Sequence, residues 1–301
     1  MFAQYFGQYL LNQGLLSASE LKQAISIQKL TRVKLGVLAI NYGYMSAAQV
    51  ETVHQIQMKL DKKFGEIATE LSFLSEEIVS SLLDSQQNAH LALGQVLIDQ
   101  GIMTYEGFAD ALEQYKKAYS LTDDQFDSII KGSMETLLET VLLKGGLYKD
   151  PAISDYIGLF AKNLIRFIDS DIRLELSEPG DSMALDWVTE QHILTPNRDI
   201  SRFTAIGGSE SSILLFASKY AQETVDEPGD MMEACIGEFL NLHNGIYLVN
   251  LSNQNVELDL EPQIVIRGAA FLPASPVKVR VQVIAPDWSV TLIIGDLSEL
   301  L

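Results

Sequence analysis

The first third of the chain repeats one pattern of apolar and small residues every 29 positions. Each unit opens with an apolar residue followed by glycine: Phe6-Gly7, Leu35-Gly36, Phe64-Gly65 and Leu93-Gly94. Seven residues after that glycine stands a second small residue: Gly14, Gly43, Ser72 and Gly101. A helix-capping hydroxyl follows three residues later: Ser17, Ser46, Ser75 and Thr104. The pattern predicts four helical hairpins, each with a short helix, a tight turn and a second helix.

The second helix of each unit carries one apolar stripe. In the second unit Val50 and Val53 lie one turn apart, and Leu21 and Ala24 take the same places in the first unit. One helical hairpin cannot bury such a stripe alone, so neighbouring units must stack. The recurring glycines and leucines therefore have two open interpretations, helix packing or contact with a ligand.

A connector of different texture follows these units. Thr122 and Gln125 have the spacing of a capping box, and the apolar positions after them predict one helix that ends at Gly145-Gly146. Asp150-Pro151 marks a further boundary. These signals divide the chain into residues 1–118, 119–150 and 151–301.

The last segment mixes helical and strand-like patterns. A helix is predicted over residues 156–168, and Gly207-Gly208-Ser209 predicts a hairpin or bend. Strands are predicted over residues 171–176, 213–216, 245–249, 256–260, 277–284 and 289–294. The predicted fold is therefore multidomain, with all-α helical-hairpin repeats followed by an α+β domain.

One helix of this domain presents a polar pair. Asp230 and Glu233 are predicted to cap its start and Gly245 to close its end. Its predicted core face comprises Met232, Cys235, Ile236, Phe239, Leu242 and His243. Glu238 and Asn241 point away from that face, one turn apart. Spacing alone allows either an ordinary solvated face or a functional pair.

Composition and charge narrow the range of functions. The 301 residues carry a net charge of −19, which argues against nucleic-acid binding and against docking on an anionic membrane. A partner with a basic patch is favoured. The chain has one cysteine and no run of 18 consecutive apolar residues, so we expect no intrachain disulfide, no membrane insertion and a cytoplasmic location. Four scattered histidines predict no metal site.

The helical units resemble the MshEN-type N-terminal domain of pilus and type II secretion ATPases. Lys34-Leu35-Gly36 through Gln57 follows that family's motif, in which a paired motif can wrap cyclic di-GMP. The family's leading arginine is replaced here by Tyr5, Lys34, Lys63 and Ala92 in the four units, and lysine lacks the planar bidentate fork. The resemblance implies a nucleotide site in units two and three, formed by Lys34, Leu35, Gly36, Gly43, Lys63 and Gly65. A docking or scaffolding role that keeps only the fold is the alternative.

The last segment resembles the CheC/CheX chemotaxis phosphatases. Glu238 and Asn241 match that family's Glu-x-x-Asn motif, and the downstream stretch over residues 256–268 resembles its strand, proline and closing glycine. A single copy of the motif matches the CheX type, which implies a homodimer.

The resemblance also implies an activity. The partner would be a phosphorylated response regulator, whose aspartyl phosphate is hydrolysed by a water that Asn241 orients while Glu238 pairs with the regulator's lysine. No cofactor of its own is implied, because the regulator supplies Mg²⁺. Cyclic di-GMP would be a regulatory ligand. The alternative is a non-enzymatic adaptor that binds a regulator or cyclic di-GMP without catalysis.

Overall fold

The protein comprises two compact units, residues 1–136 and 137–301. The structure is a computed structural model that describes residues 2–28, 31, 33–60, 62–84, 91–144, 150–177, 185–268 and 277–300.

Helices alone build the described part of the first unit. In chain order they are α1 (Phe2–Asn12), α2 (Ala18–Gln28), α3 (Leu35–Asn41), α4 (Ala47–Gln57), α5 (Phe64–Glu70), α6 (Glu76–Asp84), α7 (Ala92–Asp99), α8 (Tyr105–Ala118) and α9 (Asp123–Ile130). Helices α2, α4, α6 and α8 begin 29 residues apart, at residues 18, 47, 76 and 105. Ser46 caps α4 as predicted, since its hydroxyl accepts from the Gln49 N–H in a complete capping box.

The recurring glycine at the start of each hairpin allows its two helices to approach closely. A Cβ added to Gly36 would lie 2.7 Å from Val50 Cγ1, and one added to Gly65 would lie 2.8 Å from Val79 Cγ1. The same contact joins Gly7 to Leu21 and Gly94 to Phe108, always 14 residues apart. Close packing therefore accounts for a glycine at this position in every unit.

The second small residue of each unit ends the short helix in a left-handed turn. Gly14, Gly43 and Gly101 have φ of +68° to +69°, and Ser72 adopts the same turn with φ +58°. Such a residue is the usual terminator of a helix, which explains the spacing seen in the sequence.

The connector contains two helices where the sequence predicts one. The capping box of Thr122 and Gln125 is confirmed and opens α9. Gly132 then takes φ +95° and separates α9 from α10 (Met134–Lys144), so the prediction of one continuous helix is wrong. The predicted end at Gly145-Gly146 lies outside the described residues.

The described part of the second unit contains an antiparallel sheet of seven strands. They are β1 (Arg173–Ser177), β2 (Trp187–Leu194), β3 (Ser201–Gly208), β4 (Asp259–Leu260), β5 (Ile264–Arg267), β6 (Val277–Ile284) and β7 (Ser289–Gly295). The order is β1-β6-β7-β3-β2-β4, and β5 also pairs with β2. A short 3₁₀ turn over Leu297–Leu300 contacts β3.

In the described part of the second unit, the sheet is accompanied by α11 (Pro151–Phe167), α12 (Glu210–Ala221) and α13 (Asp230–Ser252), and the larger part of α10 precedes them. Helix α13 packs on α12, on α11 and on strand β2, so it lies at the centre of the unit. Asp150 caps α11 through the Ile153 N–H, and Pro151 occupies its first turn. Helices with an antiparallel sheet confirm the α+β prediction for this segment.

Several predicted strands of this unit are wrong. Residues 213–216 belong to α12, because the Ser209 hydroxyl accepts from the Ser212 N–H and starts a helix there. Gly207 and Gly208 end strand β3 instead of forming a hairpin. Residues 245–249 continue α13, and only Asp259–Leu260 of the predicted 256–260 strand is extended. Strands β2 and β3 were not predicted, whereas β6 has its predicted bounds and β7 extends one residue further.

Helix α13 differs from prediction at both ends. Gly229 is its N-cap residue and makes no side-chain cap, while the Glu233 carboxylate pairs with Arg267 instead of closing a capping box. At the other end the helix passes through Gly245, since the buried Tyr247 and Leu251 continue its apolar face.

Candidate functional site

Glu238 and Asn241 lie exposed on one face of α13, as the helical spacing predicts. The residues that flank them, Gly237, Phe239 and Leu240, are buried. Glu238 makes no hydrogen bond or ion pair with another described residue. The structure thus brings the predicted pair together, one turn apart, on a helix whose other face is anchored in the core.

Aromatic packing fixes this part of the helix. The Phe239 ring meets Phe160 of α11 edge-on at 5.8 Å and Phe216 of α12 at 5.1 Å. Both contacts use the edge-to-face geometry that aromatic pairs prefer. The backbone beneath the polar pair is therefore held from two sides.

The carboxamide of Asn241 is held by a residue of the sheet. Gln191 Nε2 on strand β2 donates to Asn241 Oδ1 at 2.8 Å and to the backbone carbonyl of Glu261 at 2.9 Å. Gln263, two residues further on, donates to the Gly237 carbonyl at 3.0 Å. The loop before β5 therefore lies against the helix beside the candidate site.

A buried polar network continues inward from Gln191. Asn244 Nδ2 donates to Gln191 Oε1 at 2.9 Å and to Thr204 Oγ1 at 3.0 Å. The Tyr156 hydroxyl donates to Asn244 Oδ1 at 2.6 Å. Burial raises the pKa of Tyr156 far above its ordinary value, so this hydroxyl remains a donor.

The surface around Glu238 carries negative charge. Burial, and then the charge of Glu238, raise the pKa of the Tyr220 hydroxyl on α12. Burial followed by the charges of Glu238 and Glu223 raises the pKa of the buried Cys235 thiol. Cys235 is thus an unreactive core residue, and the field at this face favours a cation.

His243 is a packed histidine, as its place on the apolar face predicts. It is fully buried, and its Nδ1 lies 3.0 Å from Asn163 Nδ2. Burial lowers the pKa of His243 to about 3. The imidazole is therefore neutral at physiological pH, with Nδ1 accepting from Asn163.

In the first unit, Lys34 makes contacts within the protein. Its ammonium lies 2.6 Å from Asp99 Oδ1 on α7, and its backbone N–H donates to Gln95 Oε1 at 2.9 Å. Lys63 donates its backbone N–H to the Glu66 carboxylate, and its ammonium forms no ion pair with a described residue.

Within the first compact unit, the second and third helical repeats lie side by side. A Cβ on Gly65 would lie 3.6 Å from Leu35 Cδ1, and a Cβ on Gly36 would lie 3.4 Å from the Phe64 ring. Gly43 is not part of this cluster. It lines a separate cleft of about 350 Å³ whose wall includes Lys116 and Asp127. Five of the six predicted nucleotide residues therefore lie on two adjoining helix starts.

No group of three or more His, Cys, Asp or Glu side chains suited to a metal occurs among the described residues. Within the same residues, no helix has both the length and the apolar character to cross a membrane.

Sequence reasoning missed Gln191 and Asn244. Gln191 lies in β2, a strand that the sequence pattern does not predict, and Asn244 lies on α13 but is not among its predicted core or site residues. By 100° steps Asn244 falls outside the predicted core face, so the helical spacing gives no signal that this residue is buried.

Comparison with known proteins gives matches in structure only. No family model matches the sequence, and no curated protein does. Solved structures similar to about half of the chain are CheX- and CheC-like chemotaxis proteins.

Three of these structures illustrate the likeness. CheX from Vibrio vulnificus is 10% identical, with a TM-score of 0.41 over 48% of this chain and 97% of that one. A CheC-like protein from Shewanella sp. PV-4 is 17% identical, with a TM-score of 0.40 over 48% and 95%. The CheX–CheY–BeF3–Mg²⁺ complex from Borrelia burgdorferi is 18% identical, with a TM-score of 0.40 over 48% of this chain and 98% of that one. Values this low do not transfer a function from one protein to another.

Proposed function

We propose that the second unit docks on a phosphorylated response regulator and promotes hydrolysis of its aspartyl phosphate. One observation carries the proposal: Glu238 and Asn241, the two residues of the Glu-x-x-Asn motif, are exposed together on a helix that is otherwise anchored in the core. Such a pair can enter the cleft of another protein without unfolding its own support.

The chemistry asked of the pair is modest. A phosphorylated regulator already carries the acyl phosphate and the Mg²⁺ that neutralises it, and phosphoryl transfer depends chiefly on positioning and charge. Asn241 would hold the attacking water in line with phosphorus. Glu238, which has no partner among the described residues, would pair with the regulator's active-site lysine. No nucleophile of the chain's own is required.

Charge supports the choice of partner. Residues 151–301 contain 9 basic and 22 acidic residues, a net charge of −13. Burial, and then the charges of Glu238 and Glu223, raise the pKa of Cys235, so a second carboxylate lies near Glu238 in this unit. Such a field steers the unit towards a surface that presents lysine.

The test is the rate of loss of phosphate from response regulators of the same organism, phosphorylated with acetyl phosphate. We expect the full chain to accelerate that loss. Asn241→Ala should lower the acceleration about a hundredfold, because the water loses its positioning, and Glu238→Ala about tenfold.

Asn250→Ala is the matched control, since Asn250 is an exposed asparagine of the same helix. It should leave the rate unchanged. If the full chain binds a regulator but accelerates nothing, the protein is an adaptor, and the enzymatic part of the proposal is wrong.

A further inference from the structure

The backbone carbonyl of Glu261 fixes which atoms donate and which accept in the hydrogen bonds around Asn241. The carbonyl oxygen of Glu261 can only accept, so Gln191 must present its amide nitrogen there, at 2.9 Å. The same nitrogen reaches Asn241 at 2.8 Å. Asn241 must therefore present its oxygen to Gln191 and turn its own amide nitrogen away.

The inner half of the network agrees with this direction. Gln191 Oε1 accepts from Asn244 Nδ2, and Asn244 Oδ1 accepts from the Tyr156 hydroxyl. Gln191, Asn244 and Tyr156 are all buried, with at most 1% of each residue exposed. Reversing one amide would bring two donors or two acceptors face to face at the next link, which is costly without water.

We propose that Gln191 is a positioning residue, which locks the Asn241 carboxamide with its Nδ2 group facing outward. Asn241 then enters a partner's cleft as a hydrogen-bond donor. A donor can hold a water through one lone pair and leave the other directed at phosphorus. This inference rests on the proposed function for its catalytic consequence, but the orientation itself can be measured without it.

The decisive variant is Gln191→Glu, which keeps size and shape. At a pH high enough to ionise it, the new carboxylate still accepts from Asn244 but cannot donate to Asn241 or to the Glu261 carbonyl. The Asn241 nitrogen is then the donor that this carboxylate can recruit, so Asn241 is expected to turn its nitrogen inward and its oxygen outward. Gln191→Ala removes the restraint altogether. Asn163→Leu serves as the control for lost buried hydrogen bonding, because Asn163 contacts His243 and is not part of the network.

The first measurement is NMR of the full chain with asparagine labelled in its side-chain amide. In the wild type we expect a rigid Asn241 NH₂ group. Gln191→Ala should make it mobile, Gln191→Glu should shift its resonances, and Asn163→Leu should leave it as in the wild type. Unchanged Asn241 signals in both Gln191 variants would overturn the proposal.

The second measurement separates binding from rate with an acetyl-phosphate-treated regulator. Both Gln191 variants should lower kcat tenfold or more while KM changes less than threefold, and Asn163→Leu should preserve kcat. Wild-type kcat in Gln191→Glu would also overturn the positioning role. If the wild type itself is inactive but the NMR changes appear, the orientation of Asn241 stands and the phosphatase proposal falls.

Discussion

A neutral imidazole lies at the centre of the second unit. His243 is 0% exposed and contacts the rings of Tyr156 and Phe160 at 4.4 and 5.1 Å between centroids. Protonation would place a charge among these rings, which is why burial lowers its pKa to about 3.

The pKa shift makes stability depend on pH with a definite sign. Between the ordinary value of 6.5 and about 3, the unfolded chain binds a proton at His243 that the folded chain does not. Stability is therefore lost as the pH falls from 6.5, by up to about 1.4 kcal/mol per pH unit from this residue. His243→Gln, which still accepts from Asn163, should show a shallower slope in urea unfolding between pH 7 and pH 4.5. Parallel slopes for wild type and variant would show that His243 is protonated in the folded state.

Replacing each of two helical glycines by alanine should change the free energy of unfolding in opposite directions. A Cβ at Gly36 would lie 2.7 Å from Val50 Cγ1, and valine is stiff in a helix, so Gly36→Ala should destabilise the first unit by about 1–3 kcal/mol. At Gly245 nothing lies within 4 Å, so Gly245→Ala should stabilise the second unit by about 0.5–1 kcal/mol.

Urea unfolding of the full chain checks both glycines, with the transitions of the two units followed separately. Equal effects of the two substitutions would contradict the packing role assigned to Gly36. Destabilisation by Gly245→Ala would contradict the continuous helix α13.

The helices that the sequence predicts well are those with explicit termini. The capping residues Ser46 and Thr122 and the left-handed Gly43 each mark a boundary that the structure contains. Gly245 misleads because a glycine ends a helix only when its φ turns positive, and here the buried Tyr247 keeps the chain helical. Local signals fix boundaries only where tertiary contacts do not oppose them.

Strand β2 escaped prediction for a related reason. Thr189, Glu190 and Gln191 are buried although they are polar, so the strand lacks the alternation that identifies a half-buried strand. Gln191 is buried because partners on α13 and at Glu261 satisfy it, and those partners are 50 or more residues away. The motif could locate Glu238 and Asn241, but nothing local could reveal the residue that orients Asn241.

At the scale of the whole molecule, the first unit raises the question of regulation. Cyclic di-GMP binding stays a prediction, as does the homodimer. Leu35 and Gly65 adjoin one another, which favours a paired site, whereas the Lys34–Asp99 ion pair of 2.6 Å competes with a nucleotide phosphate. Of the two predicted nucleotide-binding lysines, Lys63 is the one whose ammonium makes no ion pair with a described residue.

We expect cyclic di-GMP to bind the full chain in calorimetry, and we expect Lys63→Ala to weaken binding about tenfold. Asp99→Asn frees Lys34 and should tighten binding by up to about fivefold, the range of an exposed ion pair. Glu70→Gln is the matched control, because it removes the exposed Lys62–Glu70 pair, also 2.6 Å, without touching the predicted residues.

If the nucleotide regulates the second unit, linkage requires a reciprocal effect. If cyclic di-GMP changes the affinity for a beryllofluoride-activated regulator by some factor, that regulator must change the affinity for cyclic di-GMP by the same factor. We expect a factor of at least five in both titrations and its loss in Lys63→Ala. Nucleotide binding with no effect on the regulator would make the first unit an independent module. No heat at tens of micromolar ligand, even in Asp99→Asn, would leave it a scaffold whose glycines serve packing alone.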